Sequence, residues 1–179
     1  MKIWILSDIH LRQKDAIGLL KPERFPEADL CVCAGDVTDS ARLAVHWLAH
    51  VVRPRMPVVY VLGNHEFYDT SVEASLKDAR MIAAATEVTF LHDSEAVIEG
   101  VRFLGSTLWT DFALYEEGVG GPVLDRARAM TIAKWSMADF ANARVTEYVE
   151  DGPISRLLRP SDTAAFHEKA RKWLGEALR

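Results

Sequence analysis

Acidic, histidine and amide side chains recur in three short motifs in the first 66 residues of the chain. The motifs are Ser7-Asp8-Ile9-His10, Gly35-Asp36 and Gly63-Asn64-His65-Glu66. Carboxylate oxygens, imidazole nitrogens and one amide oxygen form a ligand set that suits Mn²⁺, Fe, Zn²⁺ or Co²⁺. A carboxylate can bridge two such cations, and two cations about 3.5–4 Å apart can stabilise both the attacking and the leaving oxygen at phosphorus. These residue types therefore indicate metal-assisted chemistry on a phosphoester.

Each motif directly follows an apolar run that is rich in β-forming residues. The runs cover residues 3–6, 30–34 and 58–62. Because they are apolar on both faces, they predict strands of a mainly parallel sheet that is covered on both sides. Ligands of such sheets collect at the carboxyl ends of the strands. The sequence therefore predicts one crevice that brings together these candidate site residues: Asp8, His10, Asp36, Asn64 and His65.

Together, the three motifs resemble the first three signature blocks of the calcineurin-like metallophosphoesterase superfamily. The segment Leu108-Trp109-Thr110-Asp111-Phe112 and the helical stretch around Trp135 are similar to bacterial phosphohydrolases of that superfamily. The likeness covers nearly the whole chain. It implies an α/β fold with a layered sheet and flanking helices, and hydrolysis of a phosphomonoester or a phosphodiester by a metal-activated hydroxide.

The resemblance also implies how the residues divide between two divalent cations. Asp8 and His10 would bind the first cation, and Asp36 would bridge the two. Asn64 would bind the second cation. The expected cofactors are therefore two divalent metal ions, with Mn, Fe, Zn and Co as the candidates.

By the same resemblance, His65 is the catalytic residue. It would donate a proton to the leaving oxygen, and Asp8 or Glu66 would orient its ring. The expected substrate is a phosphorylated small molecule or a nucleotide. The motifs do not distinguish a monoester from a diester, because both are hydrolysed at this type of site.

The family pattern continues beyond these blocks with a further histidine and then a Gly-His-x-His block, and neither occurs before Arg179. We therefore expect residues 1–179 to form a single metallophosphoesterase-like domain that lacks the C-terminal strands of the fold. A non-catalytic binding or scaffolding module on the same fold is the alternative function. The remaining histidines are not expected to replace the missing block: His46, His50, His92 and His167.

The composition is that of an ordinary globular protein, with 49% hydrophobic and 26% charged residues. The net charge of −5 argues against a protein that coats nucleic acid, because that function requires a basic surface. No apolar run reaches the length of a signal-peptide core or of a membrane span, so we expect a cytoplasmic protein. Cys31 and Cys33 lie on one predicted strand and are interpreted as buried thiols.

The rest of the chain predicts alternating helices and short strands. Helices are expected at 71–85 and 125–140, and short strands at 88–91, 96–98 and 101–104 with a hairpin turn at Glu99-Gly100. A further helix begins near Ser40, with its apolar face formed by Leu43, Trp47, Leu48 and Val51.

The last third of the chain is less regular in pattern. Residues 145–159 are interpreted as mixed and turn-like, and the final helix as capped by Ser161. Residues 105–121 form a connection that contains Trp109 and Phe112. These aromatics indicate either a lid over the substrate or a cover for the edge of the sheet. An exposed sheet edge is expected beyond the final helix, with possible self-association.

Overall fold

The central sheet has four strands, and every neighbouring pair is parallel. This computed structural model describes residues 1–11, 20–114, 116–118, 121–123 and 125–179. The sheet order is β1-β2-β3-β4. Its strands are β1 (Ile3–Leu6), β2 (Leu30–Cys33), β3 (Val58–Tyr60) and β4 (Thr89–Phe90). The predicted parallel sheet is confirmed, and all three motifs follow its strands at one edge.

The two inner strands are buried and the edge strand β1 is not. Cys31 pairs with Trp4 on one side and with Val58 on the other, and Cys31 and Val58 are almost inaccessible. On β1, by contrast, Ile5 is 71% exposed. The apolar runs on β2 and β3 therefore supply the centre of the core, as parallel strands covered on both faces do.

Five helices accompany the sheet within the described ranges. Ser40 and Ser71 cap the first two, because each side chain accepts a hydrogen bond from the backbone N–H three residues later. The helices are α1 (Ala41–Trp47), α2 (Val72–Thr86), α3 (Arg126–Ser136), α4 (Asp139–Asn142) and α5 (Pro160–Ala177).

The predicted apolar face of α1 is partly wrong. Leu43 is 53% exposed, whereas Val45 and Leu48 are buried. The chain continues from α1 into a π-helical turn at Leu48–Val52. A π turn has one more residue per hydrogen-bonded turn than an α-helix. The last residue that faces the core is therefore Val52 rather than Val51.

Three antiparallel hairpins complete the described strands. The hairpin predicted around Glu99-Gly100 is confirmed, and both turn residues have a positive φ. The turn-like interpretation of 145–159 is wrong, because most of this segment pairs as a regular hairpin that turns at Glu150-Asp151. The pairs are β5 (Ser94–Ile98) with β6 (Val101–Gly105), β7 (Glu116–Gly118) with β8 (Gly121–Val123), and β9 (Arg144–Val149) with β10 (Gly152–Leu157).

Two helix boundaries also differ from the prediction. The single helix expected at 125–140 is interrupted, because Met137 is extended and ends α3. Trp135, within α3, is 80% exposed. The final helix begins at Pro160, and its first turn is capped by the Asp162 carboxylate, which accepts the Arg159 N–H at 2.8 Å, so Ser161 is not the cap.

The connection after β6 packs against the body of the protein. The Trp109 ring lies between Phe67 and Phe166, with centroid distances of 5.7 and 6.5 Å, and Phe112 is buried. These contacts favour the packing interpretation over a lid. The part of the connection at Tyr115 and at residues 119–120 lies outside the described residues. No helix in the described ranges is both long and apolar enough to cross a membrane.

Candidate metal centre

Backbone hydrogen bonds join the first motif to the second. The N–H of Asp8 donates to the Gly35 carbonyl at 3.2 Å, and the N–H of His10 donates to the Asp36 carbonyl at 3.0 Å. The parallel pairing of β1 with β2 thus continues past the ends of the strands. This continued pairing places the side chains of Asp8 and His10 at the same position along the strand direction as Asp36.

The carboxylate of Glu66 joins the third motif to the second. Oε2 accepts the N–H groups of Gly63 at 2.7 Å and of Asp36 at 2.9 Å, and Oε1 accepts those of Val37 at 2.7 Å and of Thr38 at 3.2 Å. The Glu66 side chain is fully buried. Burial raises its pKa above the ordinary value, and the backbone donors act in the opposite direction. Glu66 therefore fixes two loops to each other and does not orient His65, contrary to one of the two sequence expectations.

Side chains of His10, Asp36 and His65 meet at this junction. One ligand-type atom from each lies within 4.8 Å of the others. The rings of His10 and His65 make an edge contact at 4.4 Å, and the backbone N–H of His65 donates to Asp36 Oδ1 at 3.1 Å. The structure thus brings together three of the five predicted site residues as a group that could hold a metal ion.

Asp39 is the partner of the His65 ring. Its Oδ1 lies 2.8 Å from His65 Nδ1, and both side chains are about one-quarter exposed. A carboxylate on one ring nitrogen fixes the orientation of an imidazole and leaves Nε2 for other chemistry. The sequence prediction missed Asp39, although it lies only three residues after Asp36.

Asp8 and Asn64 lie at the same edge but outside that group of three. The Asp8 carboxylate accepts a hydrogen bond from the Ser7 hydroxyl, and Asp8 is exposed. The Asn64 amide nitrogen donates to the Tyr68 hydroxyl at 3.3 Å. Because the amide nitrogen is engaged, its carbonyl oxygen is the atom left for another ligand.

Asp8, His10 and Asp36 adopt left-handed backbone conformations, with φ values of 54°, 46° and 55°. This region is uncommon for residues other than glycine, and strained backbone of this kind concentrates at functional sites. Three of the predicted ligands therefore share a conformation that the surrounding hydrogen bonds must maintain.

The two motif glycines are required for partly different reasons. Gly35 has φ +93°, and a Cβ there would lie 2.3 Å from the Gly63 nitrogen, so both conformation and space require glycine. At Gly63 the reason is space, because a Cβ there would lie 2.1 Å from Asp36 Oδ1. A side chain at position 63 would displace the Asp36 carboxylate.

A crevice of about 500 Å³ opens beside this junction. Asp8, Asp36 and Asn64 line one wall, and Met137 and Asp139 lie on the wall that α4 and the residues before it form. None of the lining residues in the described ranges is a lysine or an arginine. The remaining lining residues come from the strand ends and from the connection after β6: Ser7, Ala34, Val61, Leu62, Gly63, Ser106, Thr107, Leu108, Trp109 and Thr110.

The other histidines do not join the metal-type group, as the sequence predicts. His46 and His50 stack at 5.8 Å on α1 and the π turn that follows it. His92 lines a separate small cavity next to α5, and His167 contacts the carbonyl of Trp109. Within the described residues, the His/Cys/Asp/Glu group that could hold a metal is therefore confined to the three motifs.

The fold and this group define an α/β protein with a candidate metal centre at the carboxyl ends of parallel strands. The model of the calcineurin-like phosphoesterase family matches residues 1–121. The chain belongs to this family. The resemblance that the motifs indicate is thus confirmed.

Among solved structures, the chain is similar to the crystal structure of phosphopantetheinyl hydrolase from Mycobacterium tuberculosis. The TM-score is 0.69 at 19% sequence identity, and the match covers 98% of this chain. This similarity supports the metallophosphoesterase fold. The chain spans 62% of the length of that hydrolase. A search of curated proteins gives no match.

Proposed function

We propose that this protein hydrolyses a phosphoester with the help of divalent metal ions. The observation that carries the proposal is the meeting of His10, Asp36 and His65 at the ends of parallel strands, in a chain of the calcineurin-like phosphoesterase family. Their imidazole and carboxylate groups fit Mn²⁺, Fe, Zn²⁺ or Co²⁺. When bound, such ions lower the pKa of water toward neutrality and stabilise negative charge at phosphorus.

Residues from all three motifs would hold the ions. Asp8 and His10 would bind one ion, Asn64 the other, and Asp36 would contact both. Asp36 Oδ1 already accepts the His65 N–H, and this hydrogen bond fixes the plane of the carboxylate. It would thereby direct the second carboxylate oxygen toward the ions. The Glu66 carboxylate would keep Asp36 and Asn64 at a constant separation, because it binds the backbone of both loops.

His65 would act as the proton donor. Asp39 engages Nδ1, so Nε2 is the nitrogen that would protonate the leaving oxygen. In this proposal Asp39, rather than Asp8 or Glu66, is the residue that positions His65.

The crevice would accept a substrate with a single phosphoryl group. Because neither lysine nor arginine is among the described residues that line it, the metal ions would be the main positive charge of this lining, and additional phosphates would find no cationic partner in it. Leu108, Trp109 and Met137 give the opening an apolar side that suits a small organic leaving group. A phosphopantetheinyl compound, the kind of substrate named for the similar hydrolase, belongs in the assay.

The test is metal content and hydrolysis in the wild type and in Asp36→Asn. Asparagine tolerates the left-handed conformation at this position, but it has one oxygen and no charge. We expect Asp36→Asn to lower bound metal, measured by elemental analysis, together with hydrolysis of aryl phosphate monoesters and diesters. Asp162→Asn is the matched control, since Asp162 pairs with Arg156 away from the crevice. Hydrolysis that is absent from the metal-loaded wild type, or unchanged in Asp36→Asn, would contradict the proposal.

A further inference from the structure

Asp139, in the first turn of α4, is a buried carboxylate that faces the crevice. Its residue is 4% exposed, yet it lines the crevice together with Asp8, Asp36 and Asn64. Oδ1 has no hydrogen-bond partner in the described part of the chain. A buried ionised carboxylate without donors is costly, and in proteins such groups are paired or coordinate a metal.

Among the described residues that line the crevice, no cationic side chain compensates Asp139. The described lining has three carboxylates, those of Asp8, Asp36 and Asp139, and none of its other members is a lysine or an arginine. Like charges that share a site repel each other when the dielectric constant is low. A divalent cation reverses this situation, because it is attracted to every carboxylate that repels the others.

Asp139 is held at a fixed position relative to Asn64. The segment that follows Asn64 pairs with the end of α4: the N–H of Asp69 donates to the Asn142 carbonyl at 2.9 Å, and Tyr68 and Ala143 form an antiparallel bridge. The Tyr68 hydroxyl accepts the Asn64 amide.

We propose that Asp139 is a ligand of the second divalent cation, on the Asn64 side of the crevice. The inference rests on the proposed metal-dependent function. Asp36 and Asn64 alone leave this cation with few protein ligands, and Asp139 adds a charged oxygen from a different element of the fold. The second cation then joins α4 to the loop after β3. The first cation involves only the loops after β1 and β2.

Two measurements test the role without relying on activity. Equilibrium dialysis against Mn²⁺ should give about two ions per wild-type chain and about one per Asp139→Asn chain, or an affinity for the second ion that is at least about tenfold weaker. Thermal unfolding should give a second signature. Without metal, Asp139→Asn should raise Tm, because it removes an uncompensated buried charge, and Mn²⁺ should raise its Tm less than that of the wild type.

Asp162→Asn is the matched control, since Asp162 also lies in the first turn of a helix and is partly buried. Its carboxylate has partners, at 2.6 and 2.9 Å from the Arg156 guanidinium and 2.8 Å from the Arg159 N–H. The control should therefore lower Tm without metal and leave Mn²⁺ binding unchanged.

The outcomes separate this inference from the proposed function. A wild type that binds two ions, with the same stoichiometry and affinity in Asp139→Asn, overturns the inference alone. So does an Asp139→Asn variant that lowers Tm without metal, because that result assigns the carboxylate a protein donor. Binding of one ion by the wild type at millimolar Mn²⁺ also overturns it, whereas a wild type that binds no metal overturns the proposed function as well.

Discussion

Glu66 and Asp139 are the two acidic side chains in the described ranges that are more than nine-tenths buried, and their surroundings are opposite. Glu66 accepts four backbone N–H groups from two loops. Asp139 Oδ1 has no partner among the described residues and adjoins the crevice. One carboxylate is saturated by the fold itself. The other has the properties of a group whose partner is a ligand.

The difference between Glu66 and Asp139 shows that burial alone does not identify a functional carboxylate. Glu66 belongs to a recognisable motif, yet its hydrogen bonds give it a structural task. Asp139 belongs to no motif that the sequence indicates, yet it lines the crevice beside the candidate metal centre. The two carboxylates differ in the number of protein hydrogen bonds that they accept. A carboxylate whose oxygens are fully occupied by protein donors cannot also bind a cation.

The largest effect is expected for Glu66→Leu. Leucine would leave four N–H groups without an acceptor, two of them in buried and two in partly buried hydrogen bonds, and each buried one costs about 1–3 kcal/mol. We expect the free energy of unfolding to fall by at least about 3 kcal/mol, as measured by urea denaturation without metal. Glu66→Gln, which keeps one acceptor oxygen, should have an intermediate effect. If Glu66→Leu unfolded at the same urea concentration as the wild type, the structural role that distinguishes Glu66 from Asp139 would be contradicted.

A second prediction concerns the proton donor. His65→Gln should slow hydrolysis of an alkyl phosphate by roughly 10²–10⁴-fold, because the leaving oxygen loses its acid. An activated aryl phosphate needs less protonation, so its rate should fall less. Bound metal, measured by elemental analysis, should stay near the wild-type amount if His65 is not a ligand.

The partner of His65 supplies the comparison for that experiment. Asp39→Asn keeps a hydrogen-bonding group of the same shape beside Nδ1 but removes the charge. We expect a smaller loss than for His65→Gln, about 10–100-fold on the alkyl phosphate. Loss of metal from His65→Gln would instead identify His65 as a ligand, which its position beside His10 and Asp36 also permits.

The smallest effect is expected at His92, whose Nδ1 is buried and has no partner among described residues, but which lies outside the crevice. Burial lowers its pKa below the ordinary value of 6.5. The unfolded chain therefore binds a proton at His92 more readily than the folded chain does. The free energy of unfolding decreases as the pH falls through 6.5 toward the lowered pKa.

The His92 prediction is tested by comparing Tm at about pH 7.5 and about pH 5.5. The decrease in Tm should be smaller in His92→Gln than in the wild type, because glutamine does not titrate. The increase in Tm on addition of Mn²⁺ should be the same in both proteins. A weaker increase in the variant would show that an unpartnered buried atom away from the crevice also affects metal binding, and would weaken the argument for Asp139.

The strand ends could be predicted from the sequence because the signal is local. Apolar runs mark β2 and β3, and the geometry of a parallel sheet then brings Asp36 and His65 together across 29 residues. The partner of His65 could not be found in the same way. Asp39 adjoins the helix cap Ser40, and only the folded loops reveal which of its neighbours its carboxylate meets.

The hairpin of β9 and β10 had a usable signal that the prediction did not weigh enough. Residues 145–149 are rich in β-branched and aromatic residues, and the turn-forming dipeptide Asp151-Gly152 follows them closely, which is typical of a hairpin. The position of α4 had no such signal. Its four residues are too few for a helical period, and its place beside the crevice depends on the pairing of residues 68–71 with 143–144.

The left-handed backbone at Asp8, His10 and Asp36 restricts how these positions can be replaced. Alanine there would remove a ligand and also oppose the backbone conformation, so an alanine scan would combine two effects. Glycine removes the side chain and adopts the conformation without a steric penalty. Paired alanine and glycine variants would therefore separate backbone strain from lost chemistry, and natural variation at these three positions should favour asparagine, aspartate and glycine over β-branched residues.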